Sequence, residues 1–129
     1  MRIGEAAAAA GTTTKALRFY EELGLMPAVG RTAAGYRDYT GEAVARLEFI
    51  RRSKNAGLSL SQTREILRIR DAGIAPCSHV RGELEQQLAG LDRQIAELNA
   101  LRSTVSEQYR IVAAADPAAC DPELVCSYL

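Results

Sequence analysis

The chain has 129 residues, a formal net charge of zero and no tryptophan. That length suits one small domain plus an extended element, and no apolar run approaches the roughly 20 residues that a membrane-spanning helix needs. No basic segment followed by an apolar stretch opens the chain, so a secretory leader and a membrane partner are not expected, and the cytoplasm is the expected location. The balanced total conceals an asymmetry. Residues 1–70 carry 12 Lys and Arg against 7 Asp and Glu, whereas residues 71–129 carry 4 against 9. A basic half beside an acidic half hints at nucleic acid, although a charged face is by itself an ordinary solvated face.

Ala, Leu, Arg and Glu dominate the composition, which predicts a mainly α fold. Ile3 to Ala10 reads as a short helix stopped by Gly11. Thr12, Thr13 and Thr14 supply an N-cap for a second helix, about Thr14 to Glu22, closed by Leu23-Gly24. Two short helices joined by a tight turn form a helix-turn-helix unit. Between Met26 and Tyr39 the residues Pro27, Gly30 and Gly35 punctuate the chain, and Tyr36 and Tyr39 favour extended backbone, so a small hairpin or wing is predicted there. Thr40 caps a third helix, Glu42 to about Ala56, which Gly57 ends. Ser59 and Gln62 have capping-box spacing and open a fourth helix to about Asp71.

The remaining segments follow as a linker over 72–78, a long helix over 79–114, and a terminal loop and tail over 115–129 that begins where Asp116-Pro117 breaks the helix. In the long helix Leu84, Leu88, Leu91, Ile95 and Leu98 alternate spacings of four and three; Arg102 interrupts, then Val105, Tyr109 and Val112 resume. That is a heptad seam. Such a helix packs either on its own domain or on a second copy. Since the first four helices already make a unit of about 70 residues, a homodimer through this helix is expected.

Nucleic-acid chemistry concentrates in two places. The second helix presents Thr13, Thr14, Lys15, Arg18 and Tyr20, and the wing presents Arg31, Tyr36, Arg37 and Tyr39. Cationic and hydroxyl side chains of these kinds bond phosphate oxygens, and a helix of this size enters a major groove. Spacing alone leaves an ordinary charged helical hairpin equally open. The run Ala16-Leu17-Arg18-Phe19-Tyr20-Glu21-Glu22-Leu23-Gly24-Leu25-Met26-Pro27, with Gly35-Tyr36-Arg37-Asp38-Tyr39 downstream and Ile3-Gly4-Glu5 at the start, resembles the signature of the MerR family. Ala7 stands where a larger aliphatic residue is common in that family, and Gly30 where a basic one is frequent. The resemblance implies a winged helix-turn-helix domain over residues 1–71 and a homodimer that binds palindromic double-stranded promoter DNA. It also implies an effector-driven distortion of the DNA that realigns promoter elements for RNA polymerase.

Three cysteines, Cys77, Cys120 and Cys126, make an odd count in a chain with no export signal, which argues against a disulfide framework. Buried filler, redox chemistry and metal ligation are the open readings. Cys120 and Cys126 bracket a short loop just past the long helix and can clamp one thiophilic ion. A helix over 79–112 rises about 50 Å, so Cys77 cannot share an ion with Cys120 of the same chain. In an antiparallel coiled coil, however, it meets the terminal loop of the partner. The metal-sensing branch of the MerR family resembles this layout, since its divalent-ion sensors carry a cysteine at the position of Cys77, where copper-type sensors carry serine. The resemblance therefore implies Zn(II), Cd(II), Pb(II) or Hg(II) as effector. His79, the lone histidine, is either a solvent-exposed residue near a helix start or a fourth ligand that would favour tetrahedral Zn(II). Other functions fit less well. A drug sensor would need a large C-terminal domain, an iron–sulfur sensor four close cysteines, and an enzyme a nucleophile–base pair that cannot be placed here. A family regulator answering Cu(I), or an organic or redox effector, is the main alternative.

Overall fold

Helix starts follow the hydroxyl side chains. Thr13 Oγ1 accepts from the Ala16 N–H at 3.1 Å and Thr40 Oγ1 from Ala43 at 3.2 Å. Ser59 and Gln62 complete a reciprocal capping box, with bonds of 3.1 and 2.8 Å, so the orphan donors of three helix N-termini are satisfied locally. The computed structural model describes residues 1–129. Its elements are α1 (Ile3–Ala9), α2 (Thr14–Glu22), β1 (Gly30–Arg31), β2 (Arg37–Asp38), α3 (Gly41–Asn55), α4 (Leu60–Asp71) and α5 (Cys77–Ala114), then a 3-10 turn, Pro117–Ala119. The chain divides into two units, residues 1–87 and 88–129.

The first unit closes a core of its own. Leu17 and Tyr20 of α2, Leu25 and Met26 after it, Tyr39, and Leu47 and Ile50 of α3 are buried together with Ala6, Ala7 and Ala10. Small alanine side chains let α1 lie close against α2 and α3, and the buried Ala7 is the small substitute noted in the sequence. Between α3 and α4 the buried Thr63 hydroxyl donates to Ser59 O at 3.0 Å and pairs with Ser53 Oγ at 2.6 Å, so neither hydroxyl is left unsatisfied.

Several arginines brace this unit. Arg46 of α3 donates Nε to Leu25 O at 2.6 Å and reaches Asp71, at the end of α4, through both terminal nitrogens at 2.7 and 3.0 Å. Arg64 donates to Leu23 O at 2.6 Å and Arg51 to Ala10 O at 3.1 Å. The basic excess of the N-terminal half is thus partly structural, capping carbonyls at the ends of α1 and α2.

Helix α5 begins at Cys77, two residues earlier than the expected linker boundary, so Cys77 and Ser78 belong to the helix rather than to the linker. Pro76 is the reason: its carbonyl accepts from the Val80 N–H at 2.9 Å, which launches the helix at the proline. The first turns of α5 are tied to the helices before it. Gln62 Nε2 donates to Glu83 Oε2 at 2.6 Å. Gln87 Nε2 donates to Ala56 O at 3.3 Å and Gly57 O at 3.0 Å, covering the carbonyl end of α3. Gly57 has φ +76°, the left-handed region that favours glycine; a Cβ there would stand 2.5 Å from that amide nitrogen, the movable end of a flexible side chain.

In the second unit α5 continues without a break through Asn99 to Ser103. No residue of this helix is buried, and the heptad positions Leu88, Leu91, Ile95, Leu98, Val105 and Tyr109 are all exposed, Tyr109 at 73%. No helix is long and apolar enough to cross a membrane. Beyond the helix, Asp116 caps the 3-10 turn through a 2.9 Å bond from the Ala118 N–H, and the Tyr128 hydroxyl donates back to Asp116 O at 3.0 Å.

Candidate nucleic-acid interface and metal centre

Helix α2 exposes Thr14, Lys15 and Arg18. Thr13 is exposed as well, with its oxygen committed to the cap. The wing is a two-stranded antiparallel ribbon in the register Gly30↔Asp38 and Arg31↔Arg37. Its turn is closed by Thr32 N–H to Tyr36 O at 2.7 Å and Gly35 N–H to Thr32 O at 2.9 Å, and Gly35 takes the positive φ of +87° that this turn needs. Arg31 Nη1 braces the turn by donating to Gly35 O at 2.9 Å.

Glu21 joins the wing to α2. Its carboxylate accepts from the Tyr39 hydroxyl at 2.6 Å and pairs with Arg37 at 3.1 Å. Burial, then the Glu21 hydrogen bond, push the Tyr39 hydroxyl above the usual tyrosine pKa. Two of the expected contact residues need correction: Tyr20 is 6% exposed and Tyr39 2%, so both rings belong to the core. Their aromatic bulk fills the space between α2, the wing and α3, which outweighs display of a hydroxyl to solvent.

Thr13, Thr14, Lys15, Arg18, Arg31, Tyr36 and Arg37 remain at the surface. Arg18, Arg31, Tyr36 and Arg37 line a concavity of about 450 Å³, together with Arg2 and Ile3 from the chain's start and Gly35. Sequence reading missed Arg2. Its guanidinium lies 4.0 Å from the centre of the Tyr36 ring, and the one available signal was its place just ahead of Ile3-Gly4-Glu5. Phe19, half exposed on α2, was likewise passed over as part of a motif.

The terminal loop gathers two of the three thiols. Cys120 Sγ accepts from the Ser127 N–H at 3.2 Å, while Ser127 Oγ accepts from the Asp121 N–H at 2.8 Å and Asp121 Oδ1 from the Glu123 N–H at 2.9 Å. Hydrogen bonds from Ser127, and then from the Cys126 thiol, hold the Cys120 thiol below its ordinary pKa. Cys120 and Cys126 are therefore neighbours, and the hydrogen bonds to Cys120 Sγ ease its deprotonation, the step that makes a thiol a ligand. Cys77 is exposed on the first turn of α5.

His79 is not simply solvent-facing. Its Nε2 is buried without a hydrogen bond and lies 3.4 Å from Glu83 Oε1, near enough for charge pairing but too poorly aligned to bond. Within the single chain, no group of three or more His, Cys, Asp and Glu side chains is placed to hold one ion.

Comparison with known proteins decides the family. Residues 1–69 match the family described as MerR HTH family regulatory protein, and residues 44–107 match its MerR, DNA binding region. The chain belongs to the MerR family of transcription regulators.

A probable heavy metal-dependent transcriptional regulator of Haemophilus influenzae is 40% identical over 98 residues, which are 76% of this chain and 77% of that protein. The transcription regulator PbrR691 of Ralstonia metallidurans, solved in complex with lead(II), superposes with a TM-score of 0.76 at 31% identity, covering 93% of this chain and 94% of that one. HiNmlR, a MerR family regulator lacking the sensor domain and solved bound to promoter DNA, superposes with a TM-score of 0.60 at 26% identity, covering 88% and 86%. The expected mainly α architecture, a winged helix-turn-helix domain followed by a long C-terminal helix, is thus that of solved MerR regulators. The family is one of transcription regulators rather than enzymes.

Proposed function

We propose that this MerR regulator is a homodimer that binds double-stranded promoter DNA through α2 and the wing and activates transcription on taking up a thiophilic divalent ion, Zn(II), Cd(II), Pb(II) or Hg(II). Cys77 of one copy and Cys120 with Cys126 of the other would hold the ion. The observation that carries this reading is the terminal loop, where Ser127 turns Cys120 toward the thiolate form beside the Cys126 thiol. Paired thiols select soft ions.

The exposed heptad seam of α5 supports the cross-copy arrangement. An apolar stripe of that length is stable in water only when covered, and a continuous helix of 38 residues rises about 57 Å. Across an antiparallel pair, its first turn would lie beside the partner's terminal loop. His79, two residues from Cys77 with its Nε2 buried and unbonded, is the donor available to expand three thiolates to a tetrahedral set. The heavy-metal-dependent relative and the lead-bound PbrR691 favour the same effector class.

The ion's differential affinity for two states of the dimer would distort the promoter and realign its elements for RNA polymerase, with the deformation energy of the DNA as the opposing weight. A promoter–reporter titrated with each ion tests the effector. Zn(II), Cd(II), Pb(II) or Hg(II) is expected to raise expression. Copper or silver acting more strongly than every divalent ion would overturn the assignment, because a linear two-thiolate ion gains nothing from the third sulfur of Cys77.

A further inference from the structure

The concavity between the chain's start, α2 and the wing holds more positive charge than the unit itself neutralises. Arg37 is paired with Glu21 at 3.1 Å, and Arg31 spends one nitrogen on Gly35 O at 2.9 Å. Arg2 and Arg18 have no carboxylate within ion-pair distance. Guanidinium groups converging from three separate segments on one hollow repel one another unless an anion lies between them.

Arg2 differs from the rest in being oriented beforehand. Its guanidinium carbon lies over the half-exposed Tyr36 ring, 4.0 Å from the ring centre. Stacking of this kind restricts a long side chain and leaves the edge of the guanidinium, where its N–H groups sit, free to donate. We propose that Arg2, stacked on Tyr36, is a phosphate-binding residue that clamps one DNA backbone phosphate against Arg18 and Arg31, so that the segment before α1 is a third part of the nucleic-acid interface beside α2 and the wing. This deepens the DNA-binding reading above and rests on it. The occupant is a backbone phosphate because the hollow opens between the helix and the wing proposed to grip the duplex, and because its donors are guanidinium forks suited to phosphate oxygens.

The test is fluorescence anisotropy of the full chain on mixed-sequence double-stranded DNA across a salt series, with Arg2→Ala, Arg2→Lys, Tyr36→Phe and Tyr36→Leu. Loss of one phosphate contact lowers the slope of log affinity against log salt by about 0.9. Arg2→Ala should show that drop with roughly tenfold weaker binding near physiological salt. Arg2→Lys should keep the slope and lose part of the affinity, because the charge stays and the stack does not. Tyr36→Phe loses only its own hydroxyl and keeps the ring beside Arg2, so it should keep the slope and bind more tightly than Tyr36→Leu, while Tyr36→Leu should keep the slope and lose affinity as Arg2→Lys does. Both positions are exposed, and an unchanged melting curve verifies the fold of each variant. An Arg2→Ala protein with the parent's slope overturns the proposal. So does inorganic phosphate at millimolar concentration displacing DNA from the parent but not from Arg2→Ala, which would mark a free-anion pocket. If the parent itself shows no salt-dependent DNA binding, the DNA reading fails first, and this outcome is distinct from the other two.

Discussion

Residues 1–87 and 88–129 solve the burial problem in opposite ways. The first unit sinks Leu17, Leu25, Leu47 and Ile50 to 1% exposure or less and answers its polar interior with the Ser53–Thr63 pair and the Arg46 bridge. In the second, Leu88, Leu91, Ile95 and Leu98 stand exposed along one helix, and nothing in the same chain covers them. Both patterns are apolar residues at helical spacing. The first is complete within one chain, whereas the second is, on the proposed reading, half of an interface. Periodicity thus shows that a face must be buried, and only the count of available partners shows where.

The sharpest way to break this contrast is to charge the seam. Leu91→Asp with Leu98→Asp would place carboxylates where a partner's leucines should lie, at a cost on the order of 3 kcal/mol, or about a hundredfold in the dimer dissociation constant. Sedimentation equilibrium is expected to show monomer, while hydrogen exchange in α1 to α4 stays slow. Retention of the dimer would remove α5 from the interface. A cavity in the first unit acts differently. Leu47, 1% exposed, truncated to Ala should cost about 3 kcal/mol of unfolding free energy in urea while leaving the seam itself intact.

The Arg46 bridge gives the smaller effects. Arg46→Ala removes a donor from Leu25 O and from Asp71 and should cost about 2 kcal/mol. Its partner adds a pH signature. Arg46 holds the Asp71 carboxyl below the usual carboxylate range, so the pair contributes above the unfolded pKa, and the contribution fades as pH falls through the lower folded value. Asp71 is 55% exposed, and solvent screening keeps this to about 0.5 kcal/mol. Asp71→Asn should therefore lower stability by about 0.5 kcal/mol near neutral pH, change nothing at low pH, and so flatten a small part of the acid limb of the stability curve; an unchanged acid limb would mean the pair is idle in solution.

How much of this could be read from the sequence varies with how local the cause is. The cap among Thr12 to Thr14, which falls on Thr13, the caps at Thr40 and Ser59, and the stops at Gly11 and Gly57 depend on neighbours a few residues away, and the helix ends stand there. Misreadings came where tertiary packing decides. Tyr20 and Tyr39 carry the right chemistry for phosphate, but their rings fill the core. Arg46, Arg51 and Arg64 count as basic surface in a charge tally, yet they bond carbonyls or carboxylates. Arg2 acquires its place only when the wing brings Tyr36 beneath it. The α5 boundary shifted because Pro76 begins the helix rather than closing the linker. Of the proposed thiol site, the closeness of Cys120 and Cys126 follows from a short loop, while the proposed role for Cys77 requires a second copy.

Metal stoichiometry on a mixed dimer tests that role most directly. Cys77→Ser and Cys120→Ser homodimers should each have two defective sites. In a purified heterodimer with Cys77→Ser in one chain and Cys120→Ser in the other, both defects fall in the same site if each ion is held across copies. The second site then regains Cys77 from one chain and the intact Cys120–Cys126 loop from the other. Tight binding of one ion per heterodimer is the predicted result. If each chain instead builds its own site, every site lacks a sulfur and no tight binding returns. That outcome, with helix content unchanged by circular dichroism, would contradict a metal centre shared between two copies.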